Sequence, residues 1–176
     1  MNRIAVAMAG LLVCAGAHAA DKSVTVPMTL VTANGEGASV GRIVVTESAQ
    51  GLVFTPDLKG LPPGEHGFHL HEKPSCAPGE KDGKMGAAIA AGGHYDPAHT
   101  GMHEGPDSTA GHEGDLPKLV VGADGTDTTA VTAPRLKTLA TLKGHALMIH
   151  AGGDNYSDKP QPLGGGGARI ACGVIK

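Results

Sequence analysis

Aromatic residues are nearly missing from this chain: among 176 residues there is no Trp, and there are only two Phe and two Tyr. A hydrophobic interior must therefore be assembled from Val, Ile, Leu, Ala and Met, and a surface that stacks nucleic-acid bases on aromatic faces is excluded. Basic blocks are missing as well. Lys and Arg number 14 against 17 Asp and Glu, a formal charge of −3, so no nucleic-acid partner is expected. No run is apolar and long enough to span a bilayer. Neither a Gly-x-Ser-x-Gly nucleophile nor a His-Glu-x-x-His zinc-hydrolase motif occurs, which removes the two most recognisable hydrolytic chemistries. What the chain does have is glycine (28), proline (12) and histidine (10). The glycines are scattered between β-branched runs, the composition of a turn-rich β protein, and the length suits one domain.

Residues 1–19 read as a secretory signal, with Arg3 as a short basic region, an apolar stretch through Leu11, Leu12 and Val13, and Ala17-His18-Ala19 as a small-residue cleavage site. Val13 before Cys14 disfavours a lipoprotein reading, in which a small residue precedes the modified cysteine. The expected organisation is therefore a signal at 1–19 and one domain at 20–176, exported to the periplasm. Cleavage removes Arg3 and no acidic residue, leaving the mature chain more negative, and it removes Cys14. Cys76 and Cys172 remain, and in an oxidising compartment two cysteines predict one disulfide. By chain entropy, closing a loop of about 100 residues is worth about 4.7 kcal/mol.

Alternating apolar and polar residues predict strands at 24–32, 40–46, 51–55, 67–71, 119–122, 126–132, 146–150 and 168–175, punctuated by turn signals such as Asn34-Gly35 and Asp124-Gly125. Pro27 within the first of these predicts an edge position. Eight short strands with no long amphipathic helix give an all-β, antiparallel barrel or sandwich. Two stretches, 72–118 and 151–167, lack strand pattern and carry Gly, Pro, His and Asp instead, which marks them as long functional loops.

Metal-ligand types concentrate in and beside those loops. His69 and His71 stand two apart in a predicted strand, so they project from one face. His94 sits in Gly92-Gly93-His94-Tyr95-Asp96-Pro97, where small residues let the backbone close around a site. His103, His112 and Asp115 follow at intervals of nine and three. Three imidazoles with one carboxylate suit tetrahedral zinc in a closed, structural site. His150, at the end of a predicted strand, is positioned in sequence to join His69 and His71 in an imidazole-rich set of the kind that suits copper.

Five ordered motifs then carry a family resemblance: Gly67-Phe68-His69-Leu70-His71-Glu72, Ala91-Gly92-Gly93-His94-Tyr95-Asp96-Pro97, Gly111-His112-Glu113-Gly114-Asp115-Leu116-Pro117, Leu147 to Tyr156, and Gly167 to Ile175. From about residue 24 to the last residue the chain closely resembles the copper/zinc superoxide dismutases, specifically their bacterial secreted branch. The resemblance implies a Greek-key barrel, copper on His69, His71, His94 and His150, and zinc on His94, His103, His112 and Asp115, with His94 shared. It also implies that Asp154 receives hydrogen bonds from one copper and one zinc histidine. The substrate it implies is superoxide, disproportionated by one-electron cycling of copper, with His94 as proton donor.

The mature chain is negative and superoxide is an anion, so a local positive group is required. Arg169 is the first candidate for it, positioned through nearby Cys172, and Lys159 is a weaker one. Met102 stands before His103 where the family pattern leads one to expect Lys. His66 is expected to support the barrel end by hydrogen bonding, His145 to be structural or on the surface, and His99 to face solvent. The alternatives are a copper carrier, a barrel that keeps only zinc, and a hydrolytic zinc enzyme. A homodimer is one assembly the sequence admits.

Overall fold

The computed structural model describes residues 23–176; the expected signal at 1–19 and the domain start at 20 lie outside the described residues. The chain runs through β1 (Ser23–Thr32), β2 (Gly35–Glu47), β3 (Leu52–Lys59), β4 (Gly64–His66), β5 (Phe68–His71), β6 (Gly79–Lys81) and β7 (Lys84–Gly86). It continues through β8 (Leu119–Val121), β9 (Thr126–Asp127), β10 (Val131–Ala133), β11 (Ala146–His150) and β12 (Arg169–Val174). All strand pairs are antiparallel. The main sheet has the order β10-β3-β2-β1-β12-β11-β5, with β9 also on β3. β4 and β8 form a separate ladder, and a tight turn with the Gly122 N–H on the Thr126 carbonyl at 2.8 Å leads from β8 into β9.

Alternation explains the packing. In β3, Leu52, Phe54, Pro56 and Leu58 are buried, while the residues between them are exposed or half-buried. Phe54 meets Phe68 edge to face, with ring centroids 5.6 Å apart, so the only two phenylalanines sit together among Val, Ile and Leu. A second cluster of Val31, Ala88, Ala91, Ala146 and Met148 forms around Cys76 and Cys172, on the opposite face of β11. These two cysteines form the expected disulfide, with Cα atoms 5.7 Å apart, which staples the start of the long 72–118 loop to β12.

Three local expectations need correction. β1 is an interior strand between β2 and β12, although Pro27 predicts an edge. Its ladder to β12 covers only Thr29 and Leu30, so Pro27 falls where that side of β1 is unpaired and no N–H is missed. The single strand expected at 126–132 is two, β9 and β10, because the Asp127 carboxylate accepts the Thr129 N–H at 2.9 Å and turns the chain between them. The 72–118 loop contains the β6–β7 hairpin, turned by Asp82 and Gly83 at φ 54° and 74°. Both of its strands are exposed or half-buried, so they lack the apolar alternation that marks a strand in sequence.

Candidate metal centre

Strand parity sets the first half of the site. Phe68 and Leu70 of β5 enter the main core, so His69 and His71 must point from the outer face. On β11, Leu147 and Ile149 enter the same core, leaving Ala146, Met148 and His150 on that outer face. The register pairs Met148 with His69 and Ala146 with His71. His150 is fixed one step further along, its N–H on the Gly67 carbonyl at 2.8 Å.

The long loop supplies the second half by lying along β5. Glu72 N–H bonds to the Gly93 carbonyl at 3.1 Å and Tyr95 N–H to the Leu70 carbonyl at 2.8 Å, which places His94 over His71. Leu70 N–H bonds to the Gly114 carbonyl at 2.9 Å, which places Asp115 beside His69. Gly114 is required here, since a Cβ would collide with the Leu70 carbonyl.

Two four-residue groups result, His69, His71, His94 and His150, and His94, His103, His112 and Asp115. Within each, the potential donor atoms lie within 4.8 Å of one another. Every residue predicted as a metal donor is therefore brought together, with His94 in both groups. All are buried, the most open being His112 at 8% exposed.

The hydrogen bonds say which nitrogens are left to bind. His71 Nδ1 donates to the Gly92 carbonyl at 3.0 Å, His150 Nδ1 to the Gly167 carbonyl at 3.2 Å, and His69 Nε2 to Asp154 Oδ2 at 2.8 Å. Each ring is thereby held in one tautomer with its other nitrogen as a lone pair. Those other nitrogens, His69 Nδ1, His71 Nε2 and His150 Nε2, together with His94 Nε2, are buried and have no hydrogen-bond partner. Buried unpaired lone pairs facing one another are the signature of a metal set. In the second group, Nδ1 of His94, His103 and His112 lie 2.9, 3.0 and 3.2 Å from Asp115 Oδ1. Asp154 joins the groups, its Oδ1 on His103 Nε2 at 2.8 Å and its Oδ2 on His69.

The electrostatics divide the same way. Burial, reinforced by neighbouring imidazoles, pushes His69 and His71 well below the ordinary histidine value, and burial pushes His150 down to about 4. Burial also lowers His94, against the opposing pull of Asp115. At His103, burial is outweighed by the Asp115 carboxylate 3.0 Å from Nδ1 and by the hydrogen bond from Nε2 to Asp154, which raise it to about 9. Desolvation of Asp115 and Asp154 is likewise outweighed by their histidine partners, and both carboxyls lie far below the usual range.

A cleft of about 530 Å³ opens over the first group, lined in part by Lys81, His94, His150, Leu163 and Arg169. Arg169 is half-buried, its guanidinium held by the Ala88 and Gly92 carbonyls at 2.6 Å each, and burial lowers its pKa. Lys159 does not reach this cleft; it lines a separate hollow beside Met102, His103 and Glu104. The lysine on the cleft is Lys81, at the end of β6, and a Lys in an exposed hairpin gives no sequence signal of its own. His66 plays the expected supporting part, facing the His150 and Pro62 carbonyls at 2.7 and 2.8 Å. His145 bonds to the Glu72 carbonyl at 2.9 Å, and His99 is exposed.

Fold and site together define a metalloprotein with two adjacent metal positions on the outer face of an antiparallel β-barrel, one of them all-imidazole and open to a cationic cleft. The model of the copper/zinc superoxide dismutase (SODC) family matches residues 39–175, and the chain belongs to that family. It is 60% identical to the "Superoxide dismutase [Cu-Zn]" of Escherichia coli (strain K12) over 176 residues, 100% of each chain. The copper/zinc superoxide dismutase from Brucella abortus superposes with a TM-score of 0.86 at 57% identity, covering 88% of this chain and 100% of that one. The solution structure of the monomeric enzyme from Salmonella enterica gives 0.79 at 62% identity, with the same coverage of 88% and 100%. The chain's activity is the disproportionation of superoxide to O2 and hydrogen peroxide, with copper and zinc as its cofactors.

Proposed function

We propose that His69, His71, His94 and His150 hold the copper, that His94, His103, His112 and Asp115 hold the zinc, and that His94 is shared between them. The observation that carries this assignment is the set of four buried, unpaired nitrogens at the first group. Neutral imidazoles suit copper, whereas the group containing a carboxylate suits closed tetrahedral zinc. Copper, when bound, supplies the one-electron cycling that turns two superoxide ions and two protons into O2 and hydrogen peroxide, which zinc does not.

The chain's own residues do the rest. His71 and His150 keep fixed tautomers through the Gly92 and Gly167 carbonyls. His94 Nε2 faces the copper set, so whenever that nitrogen is released from copper it is the atom placed to take up a proton and supply it to the peroxide product as general acid. His94 Nδ1 and Asp115 Oδ1, 2.9 Å apart, both face the second group, so zinc held there would fix the His94 ring from its Nδ1 side. Arg169, held by two carbonyls at the cleft, orients the anion and draws it in, and focusing of this kind raises on-rates by about 10- to 1000-fold. Asp154 keeps His69 and His103 in register with each other. Metal analysis of single-histidine variants tests the assignment: His150→Ala should lose copper and keep zinc, and His112→Ala the reverse.

Export to the periplasm through cleavage after residue 19 completes the reading, supported by the signal pattern and by the Cys76–Cys172 disulfide. Amino-terminal sequencing of the secreted protein tests it. If the chain pairs as a homodimer, activity per copper stays that of the monomer, because both donor sets come from a single chain.

A further inference from the structure

The Gly92 carbonyl is an acceptor on which two functional groups depend, His71 Nδ1 at 3.0 Å and Arg169 Nη2 at 2.6 Å. Its orientation is that of the Gly92–Gly93 peptide, and the N–H of that same peptide, on Gly93, donates to Glu72 Oε2 at 3.0 Å. Glu72 also holds Gly93 from the other side, its own N–H on the Gly93 carbonyl at 3.1 Å. The Glu72 backbone is anchored in turn by His145 Nδ1 on its carbonyl at 2.9 Å. Gly92 has φ 78°, and a Cβ there would run into the Glu72 carboxylate, so side chain and turn are closely fitted. Glu72 is exposed, and its negative charge sits against residues that line a cleft for an anion. That placement is an electrostatic cost with no role in holding metal or substrate.

We propose that Glu72 is a positioning residue for the reaction: its carboxylate pins the Gly92–Gly93 peptide, and thereby aims the carbonyl that fixes both the Arg169 guanidinium and the His71 ring. The hydrogen bond, rather than the charge, is what Glu72 contributes. The inference rests on the reading of Arg169 as the anion guide and of His71 as a copper ligand.

Glu72→Ala and Glu72→Gln remove the same charge, but only Gln keeps an acceptor for the Gly93 N–H. In copper- and zinc-loaded protein, with pulse-radiolysis rates expressed per bound copper, Glu72→Ala should lower the second-order rate constant by about three- to tenfold, the equivalent of one lost hydrogen bond. Glu72→Gln should run at or above the parent rate, since it keeps the bond and relieves repulsion. The Cu(II) electron paramagnetic resonance spectrum should shift in the Ala variant through His71 and stay parent-like in the Gln variant. Equal rates and spectra for the two variants would overturn the proposal. An Arg169→Ala variant at the parent rate would instead sink the reading of Arg169, while the spectral difference between the Glu72 variants still decides the hold on Gly92.

Discussion

His71 and Arg169 donate to one and the same atom, the carbonyl oxygen of Gly92, at 3.0 and 2.6 Å. A residue assigned to the metal and a residue assigned to the substrate are thus fixed by a single peptide, and the distance between copper and guide is set by backbone rather than by flexible side chains. The Cys76–Cys172 disulfide adds to this, because it ties the loop leading to Ala88 and Gly92 to the strand that carries Arg169.

Arg169→Ala should lower the second-order rate of superoxide decay and leave copper content unchanged, and Arg169→Glu should lower it further by reversing the field. Charges in the cleft are screened over about 8–10 Å at about 0.1–0.15 M salt, so raising ionic strength should slow the parent more than the Ala variant. Pulse radiolysis across a salt series measures both effects. An Ala variant with the parent's rate and slope would move the guiding role elsewhere on the cleft, with Lys81 the first position to examine.

Zinc and copper should differ in their response to pH. With His103 raised to about 9, the metal-free protein carries a proton there at neutral pH, and zinc must displace it. Apparent zinc affinity should therefore rise with pH by about tenfold per unit until that pKa is passed. His150 is pushed down to about 4, and His69 and His71 are also lowered, so the copper set is already deprotonated over the same range and its affinity should change far less. Chelator competition between pH 6 and 9 gives both slopes, and equal slopes would contradict the division of the two groups.

Asp115→Ala should cost zinc before copper, because it removes the only anionic side chain from the zinc set while four imidazoles remain for copper. Elemental analysis after dialysis against a graded chelator series is the check. Equal loss of both metals would mean that the sites do not load independently.

Asp154→Ala should act on both groups, since it frees His69 Nε2 and His103 Nε2 together. Each buried ring N–H left unpaired costs about 1–3 kcal/mol, and loss of an outer partner to metal ligands lowers affinity by about 10- to 100-fold. The Asp154 carboxyl lies below its ordinary value, so its contribution to the stability of the metal-free protein is present above the ordinary carboxyl pKa and is lost as pH falls through the depressed one. Thermal unfolding and zinc titration of this variant should both shift; an unchanged zinc affinity would remove Asp154 from the account.

Much of this was legible in the sequence. His69-x-His71 could be read because strand parity puts alternate residues on one face, and β11 was found at its true bounds because its apolar run is bracketed by turns. His94, His103, His112 and Asp115 were visible as a cluster of ligand types inside one stretch without strand pattern. What stayed hidden depends on contacts between distant segments. The Gly92 carbonyl and the Glu72 carboxylate act through a single peptide orientation, which no residue pattern encodes. Lys81 is brought to the cleft by a short hairpin with no buried face. Pro27 misled because its strand is interior in topology yet locally unpaired on one side.

The central claim is that superoxide is consumed at a copper held by His69, His71, His94 and His150 beside a zinc that shares His94. Adding Cu(II) stepwise to the zinc-loaded protein, with superoxide decay followed by pulse radiolysis, tests it most directly. The account predicts a rate that climbs in proportion to copper, levels off at one copper per chain, and is abolished together with copper binding in His150→Ala. A rate independent of added copper, or full activity in a His150→Ala protein that binds no copper, would contradict it.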